Sequence, residues 1–207
     1  MIPAELVIEA YSMGIFPMAL EEGEIGWFSP DPRGVLPLDD RFHINRGLRR
    51  TLKKKPFEIR INSAFDKVVD GCANRNETWI SDEISSIYSQ LHDEGIAHSL
   101  ETWKDGELVG GLYGLAIGGA FFGESMFSRV TDASKVALVA LVERLRHQGF
   151  ILCDTQWSTP HLATFGCMEI PKEEYLEILG EALALDVAFE APEERPASPD
   201  SVQRETE

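Results

Sequence analysis

Between Leu108 and Ser134, apolar, aromatic and glycine residues follow one another almost without a break, until a single acid, Glu124, stands between Gly123 and Ser125. Short apolar runs punctuated by glycine pairs read as strands of a buried sheet. A carboxylate inside such a run is costly without partners. Gly123 beside it would let a second backbone or a ligand come close. Either the acid turns to solvent at a bulge where the strand ends, or it belongs to a site; this stretch alone leaves both open.

The flanking segments supply a frame. Ala97 to Trp103 alternates as a strand, Lys104 to Glu107 is a hairpin turn, and Leu108 to Ile117 is the next strand. Gly118-Gly119 makes a second turn, and Ala120 to Glu124 begins the strand after it. Three antiparallel strands with tight turns form a meander. A helix follows from Ala133 to His147, capped by Asp132 or Ser134 and apolar nearly all round in its first two turns, which makes it a central buried helix. Phe150 to Gln156 is a buried strand with Asp154 and Gln156 at its end. Strand, helix and strand across 120–156 form one crossover, expected to be right-handed and to set the two strands parallel. That brings Glu124, Asp154 and Gln156 to one edge of the sheet.

Upstream lie a short helix over 4–12, an extended segment from Ile15 to Met18, an acidic loop at 21–24, and a rigid two-proline turn that presents Arg33. A helix from Arg46 to Lys54, a strand from Phe57 to Ile61, a helix capped by Asn62 or Ser63 and another capped by Ser81 and ended by Gly95 complete that half. Downstream, His161 to Phe165 is a helical turn and Lys172 to about Leu185 a last helix; past Asp186 the chain is Pro-rich, acidic and expected to be disordered. The order gives an α+β fold with a mostly antiparallel sheet.

Net charge is −16, which by itself disfavours nucleic acid. The distribution is uneven, because residues 41–60 hold eight of the nineteen Lys and Arg against one acid, Glu58. Such a block is either a solvated helix face or a contact for a phosphate backbone, with the acidic remainder meeting a cationic second substrate. Three cysteines, none in a Cys-x-x-Cys pair, argue against a disulfide framework and a zinc site, and point to a reducing cytoplasm. No apolar run approaches the roughly 20 residues of a membrane helix.

A carboxylate and a carboxamide two apart on a strand, Asp154 and Gln156, leave the same face and can orient an amine and relay its proton. That suits attack of an amine on an ester, since an α-amine titrates near ~8 and needs only a hydrogen-bonding base. Cys153 reads as core; His161 reads as a packing or capping residue, with a base as the alternative. Met126, directly after the Glu124-Ser125 break, would line whatever pocket Glu124 faces.

Several blocks, in order, resemble one family: Tyr-Ser-Met-Gly-Ile-Phe-Pro at 11–17, Trp-Phe-Ser-Pro-Asp-Pro-Arg-Gly-Val-Leu at 27–36, Phe-His-Ile-Asn-Arg at 42–46, Leu-Val-Gly-Gly-Leu-Tyr-Gly at 108–114, Phe-Phe-Gly-Glu-Ser-Met-Phe-Ser-Arg at 121–129 and Asp-Thr-Gln at 154–156. From about residue 4 to 185 the chain is similar to the leucyl/phenylalanyl-tRNA–protein transferases. The resemblance implies transfer of Leu or Phe from charged tRNA to the α-amine of proteins beginning with Arg or Lys, marking them for N-end rule degradation. It implies a small N-terminal domain over 1–33, a GNAT-like acyltransferase domain over 34–185 and an added disordered acidic tail over 186–207. No metal or organic cofactor, no membrane and a cytoplasmic monomer are expected. Asp154 and Gln156 would be the amine-activating pair and Glu124 the acid that positions the substrate. Leu112, Met126, Leu138, Leu141 and Cys153 would line the amino-acid pocket, Trp79 would contact the terminal adenosine, and Arg46, Arg49, Arg50, Lys53, Lys54 and Lys55 would meet the tRNA backbone.

The chain departs from the pattern in three places. Ten residues precede Tyr11, fewer than in many members, so a reduced small domain is expected. Met18 stands where some members carry Trp, which shifts the stacking role to Trp27. The tail lies outside the pattern. The competing readings are a CoA-dependent N-acetyltransferase and a non-catalytic binder of tRNA or N-terminal peptides. The first lacks its phosphate loop, since Asp132 stands where the anion would sit; the second does not account for Glu124, Asp154 and Gln156 together.

Overall fold

A computed structural model describes residues 2–20, 24–74 and 78–189. The expected acidic loop at 21–24 and the tail from 190 onward therefore lie largely outside the described residues. Helix α1 (Ala4–Ser12) leads into a two-stranded sheet of β1 (Phe16–Ala19) and β2 (Ile25–Phe28). The remaining strands form one seven-stranded sheet in the order β4-β5-β6-β7-β8-β3-β9. These are β3 (Arg33–Val35), β4 (Glu58–Ile61), β5 (Ala97–Lys104), β6 (Glu107–Ile117), β7 (Ala120–Ser128), β8 (Leu152–Gln156) and β9 (Met168–Ile170). Every pairing is antiparallel except β7 with β8, which is parallel through Ala120↔Leu152 to Phe122↔Asp154. The expected α+β class, the meander and the parallel crossover are all present.

Helices cover both faces of the sheet. On one side α1, α3 (Phe65–Ala73), α4 (Asp82–Asp93) and α7 (Lys172–Leu183) pack on Tyr113, Leu115 and Phe122. On the other, α2 (Arg46–Lys54), α5 (Ala133–Gln148) and the four-residue α6 (Pro160–Ala163) pack on Leu112, Phe121 and Cys153. Two covered faces explain why β6 and the start of β7 carry apolar residues at successive positions instead of alternating. Crowding is greatest at Gly114, where a Cβ would strike the Phe122 carbonyl and fall 2.7 Å from the Phe121 ring. At Gly123, by contrast, a Cβ would meet only the Asp154 carbonyl at 3.5 Å, so the close approach expected there is not what requires glycine.

Four local expectations are corrected. β7 does not end at Glu124 but runs to Ser128. Neither Asn62 nor Ser63 caps α3 with its side chain; Ala64 holds the cap position, and Glu101 of β5 accepts the N–H groups of Ser63 and Ala64 at 2.9 and 2.8 Å. Asp132 occupies the cap position of α5 without capping it, because its carboxylate takes Thr51 Oγ1 at 2.9 Å and Lys135 Nζ at 3.0 Å. The tail is ordered at its start: Phe189 is buried, stacks on His98 and Phe121, and accepts a 2.7 Å hydrogen bond from Arg144 Nε at its carbonyl.

Candidate active site

The site lies where β7 and β8 part. Their pairing stops at Phe122↔Asp154; from there β7 continues with β6 alone, while β8 stays with β3 through Gly34↔Gln156. A cavity of about 510 Å³ opens at the split, lined by Gly123 to Ser128 on one side and Thr155 to Trp157 on the other. Leu112, Met126, Leu138, Leu141 and Cys153, the five residues expected to form an apolar pocket, all line it, and Trp79 stands in its wall. The Cys153 thiol is pushed well up by burial, which keeps it a neutral wall group and not a nucleophile.

Glu124 faces this cavity because of a bulge. Tyr113 pairs with Ser125 and Gly114 with Gly123, so Glu124 is the extra residue in its strand and its side chain is re-aimed. It has the partners a buried carboxylate needs. Tyr11 OH donates to Oε1 at 2.7 Å, Tyr88 OH donates to Oε2 at 2.9 Å, and Gln156 Nε2 donates to Oε1 at 3.1 Å. The two phenol oxygens are themselves 2.6 Å apart. Burial lifts the Glu124 carboxyl to about 7 against the lowering pull of the two phenols. Burial and the neighbouring acid raise both phenols, so they stay protonated.

Gln156 reaches the cavity from the end of β8 with a left-handed backbone, φ 58°. That strained conformation is held by a 2.8 Å hydrogen bond from its N–H to Asp154 Oδ1. Asp154 itself is wholly buried and absent from the cavity lining. Arg33 Nε donates to Oδ1 at 2.9 Å, Arg33 Nη2 to Oδ2 at 2.7 Å and Tyr175 OH to Oδ2 at 2.8 Å. Arg33 is equally buried and donates its remaining arm to the Gly14 carbonyl at 3.0 Å. The expectation that Asp154 and Gln156 present a matched pair to the amine is therefore corrected in geometry: Gln156 lines the cavity, while Asp154 lies behind it with both oxygens doubly engaged.

Trp27 is not in the lining and is 40% exposed on β2. The aromatic that sequence reasoning passed over is Trp157, which lines the cavity, is 42% exposed and stands edge-on to Phe16 at 5.2 Å. Its only signal was its place directly after Gln156. Tyr11 and Tyr88 were also missed as partners of Glu124, because nothing local ties them to an acid 113 and 36 residues away. His161 lines the cavity, its Nε2 without a partner among the described residues and its imidazole pushed down by burial and by Lys135. Arg46, Arg49, Arg50, Lys53, Lys54 and Lys55 are exposed on or beside α2 and do not line the cavity. No group of three or more metal-ligating side chains occurs among the described residues.

Comparison with known proteins agrees along nearly the whole chain. The family model for leucyl/phenylalanyl-tRNA protein transferase matches residues 35–180, and that for its N-terminal domain matches residues 1–31. A leucyl/phenylalanyl-tRNA–protein transferase of Herpetosiphon aurantiacus is 57% identical over 185 residues, 89% of this chain and 96% of the relative. One of Akkermansia muciniphila is 56% identical over 183 residues, 86% of this chain and 95% of the relative. A solved structure described as L-PGS from Bacillus licheniformis aligns over 77% of this chain and 55% of that one with TM-score 0.42 and 13% identity, too loose a likeness to bear on function. The bulged acid, the amide beside it and the apolar cavity thus sit in a chain that belongs to the leucyl/phenylalanyl-tRNA–protein transferase family.

Proposed function

We propose that the chain moves leucine or phenylalanine from charged tRNA to the N-terminal α-amine of proteins beginning with Arg or Lys, and so marks them for N-end rule degradation. The observation that carries the chemistry is the Gln156–Glu124 contact at 3.1 Å, set in the wall of a mostly apolar cavity. Leu112, Met126, Leu138, Leu141 and Cys153 receive the leucyl or phenylalanyl side chain, and the ester carbonyl lies toward Glu124 and Gln156. The acceptor amine donates an N–H to Gln156 Oε1 and yields a proton to Glu124 as its nitrogen bonds to the carbonyl carbon. The carbon–oxygen bond to the ribose breaks, and the departing oxygen takes that proton back, so none is gained or lost overall.

Asp154 acts in this scheme as a positioning residue: it fixes the Gln156 backbone and neutralises Arg33, which anchors the N-terminal segment at Gly14. Trp79 and Trp157 at the rim take the terminal adenosine, and the cations of α2 take the backbone of the tRNA. We place this activity in the cytoplasm, in a monomer whose sheet is of the GNAT acyltransferase type. Purified protein given radiolabelled leucyl- or phenylalanyl-tRNA and a peptide beginning with Lys or Arg should label the peptide's amino terminus. Absence of label with both donors would sink the proposal.

A further inference from the structure

A second depression, of about 340 Å³, lies between the end of α3, at Gly71 to Asn74, and the end of β7, at Met126 to Arg129. Met126, Phe127 and Ser128 belong to both linings, so the last residues of β7 are a wall that the two cavities share. We propose that this depression is a subsite for a phosphodiester near the 3′ end of the donor, read by Arg129; the inference rests on the function proposed above.

Arg129 is exposed, yet its position is built. Its N–H donates to the Val109 carbonyl at 2.7 Å, Nη1 donates to the Leu108 carbonyl at 3.3 Å, and the guanidinium lies 5.4 Å from the centre of the Phe127 ring. Phe127 is fixed in turn by α3, since a Cβ on Gly71 would fall 2.9 Å from its ring. Those contacts use one arm of the guanidinium fork. Nε and Nη2 have no partner among the described residues, and no carboxylate pairs with the group there. A cation held in place with no carboxylate beside it among the described residues is free to take an anion, and a fork whose Nε and Nη2 are unused matches phosphate oxygens. Because the wall is shared, a donor whose aminoacyl group fills the first cavity can continue into the second without leaving the surface.

The test uses three donors: phenylalanyl-tRNA, the phenylalanyl ester of the dinucleotide cytidylyl-adenosine, and phenylalanyl-adenosine, which has no phosphodiester. With Arg129→Ala, KM for the tRNA and the dinucleotide should rise roughly tenfold, kcat should hold, and KM for the adenosine ester should stay within about twofold of the wild-type value. Arg129→Lys, which keeps the charge and loses the fork, should fall between. Equal KM values for variant and wild type on all donors would overturn the proposal. So would an equal loss on the adenosine ester, which would make Arg129 a brace for the strand end, or a rise confined to KM for the acceptor peptide, which would make it an acceptor contact. Failure of wild-type protein to transfer from any of the three would instead overturn the parent function, and the subsite with it.

Discussion

Tyr11, Tyr88 and Glu124 present three close contacts among their oxygens, at 2.6, 2.7 and 2.9 Å, and three hydrogen bonds need three protons. Two phenols supply two. Both phenol protons go to the carboxylate oxygens and pull the carboxyl down, and burial lifts it against that pull. A carboxyl at about 7 is thus poised to take a proton from an amine near neutrality. It follows that kcat/KM should rise as pH climbs through about 7, and that Glu124→Gln should be slow throughout and retain only the acceptor amine's own titration near ~8. A wild-type rate flat between pH 6 and 8 would refute this role. Stability carries the same signature with a definite sign. The folded carboxyl sits above its ordinary 4.5, so the folded state holds the extra proton, and stability is lost as pH rises from about 4.5 to about 7. The loss amounts to about 3 kcal/mol, and it should vanish from urea titrations of Glu124→Gln. Asp154 behaves differently. Asp154→Ala strands Arg33 in the interior and should cost about 3–5 kcal/mol in the same titrations, whereas Gln156→Ala should lose turnover with little loss of stability. Equal destabilisation by the two would contradict the division into a positioning residue and a cavity residue. Glu124 and Gln156 were legible because each stands out of an apolar run, and Met126 because it follows the Glu124-Ser125 break, whereas the other apolar wall residues look like core in their own segments and were legible as a pocket only through the family resemblance. Arg33 was seen only as the end of a turn, since nothing local says that it pairs with an acid 121 residues away.

At the scale of elements, the meander and the crossover were legible because turns and glycine pairs are local and a crossover has few solutions. The caps of α3 and α5 were not, because their polar partners come from other elements. Glu101 is the clearest case. It is wholly buried in β5 and accepts from the N–H groups of Ser63 and Ala64, from Ser63 Oγ, from Ser99 Oγ at 2.9 Å and from Trp103 Nε1 at 2.9 Å. One carboxylate thereby ties β5 to the turn that starts α3 and substitutes for a side-chain cap. Glu101→Ala would leave the buried Ser99 hydroxyl and several part-buried donors unpaired and should cost about 3–5 kcal/mol, read as a lowered midpoint in chemical denaturation. A loss below about 1 kcal/mol would mean that water replaces the carboxylate without penalty. The same dependence on distant partners hid Phe189. Its surrounding composition reads as disorder, yet His98, Phe121 and Phe150 form an aromatic slot for it.

Across the whole molecule the charges are segregated, and the fold keeps them so. Helix α2 buries Leu48 against the α5 side of the sheet and is tied to the start of α5 through Thr51 and Asp132, leaving Arg46, Arg49, Arg50, Lys53, Lys54 and Lys55 in solvent. No carboxylate pairs with any of the six among the described residues, in contrast to Arg41 and Arg60, which are tied to Asp39 and Glu58. Sequence could say that the block was basic; only the fold says that it is an unneutralised face. For a chain of net charge −16, such a face lets polyanion binding release counterions instead of meeting like charge. Lys53→Ala, Lys54→Ala and Lys55→Ala combined should therefore weaken tRNA binding and reduce the slope of log affinity against log salt by about 2. Folding should be unaffected, because all three side chains are exposed. Turnover at saturating tRNA should persist, because none of them lines the cavity. If the salt slope is the same for the variant and the wild type, α2 is only a solvated face and the tRNA backbone lies elsewhere on the molecule.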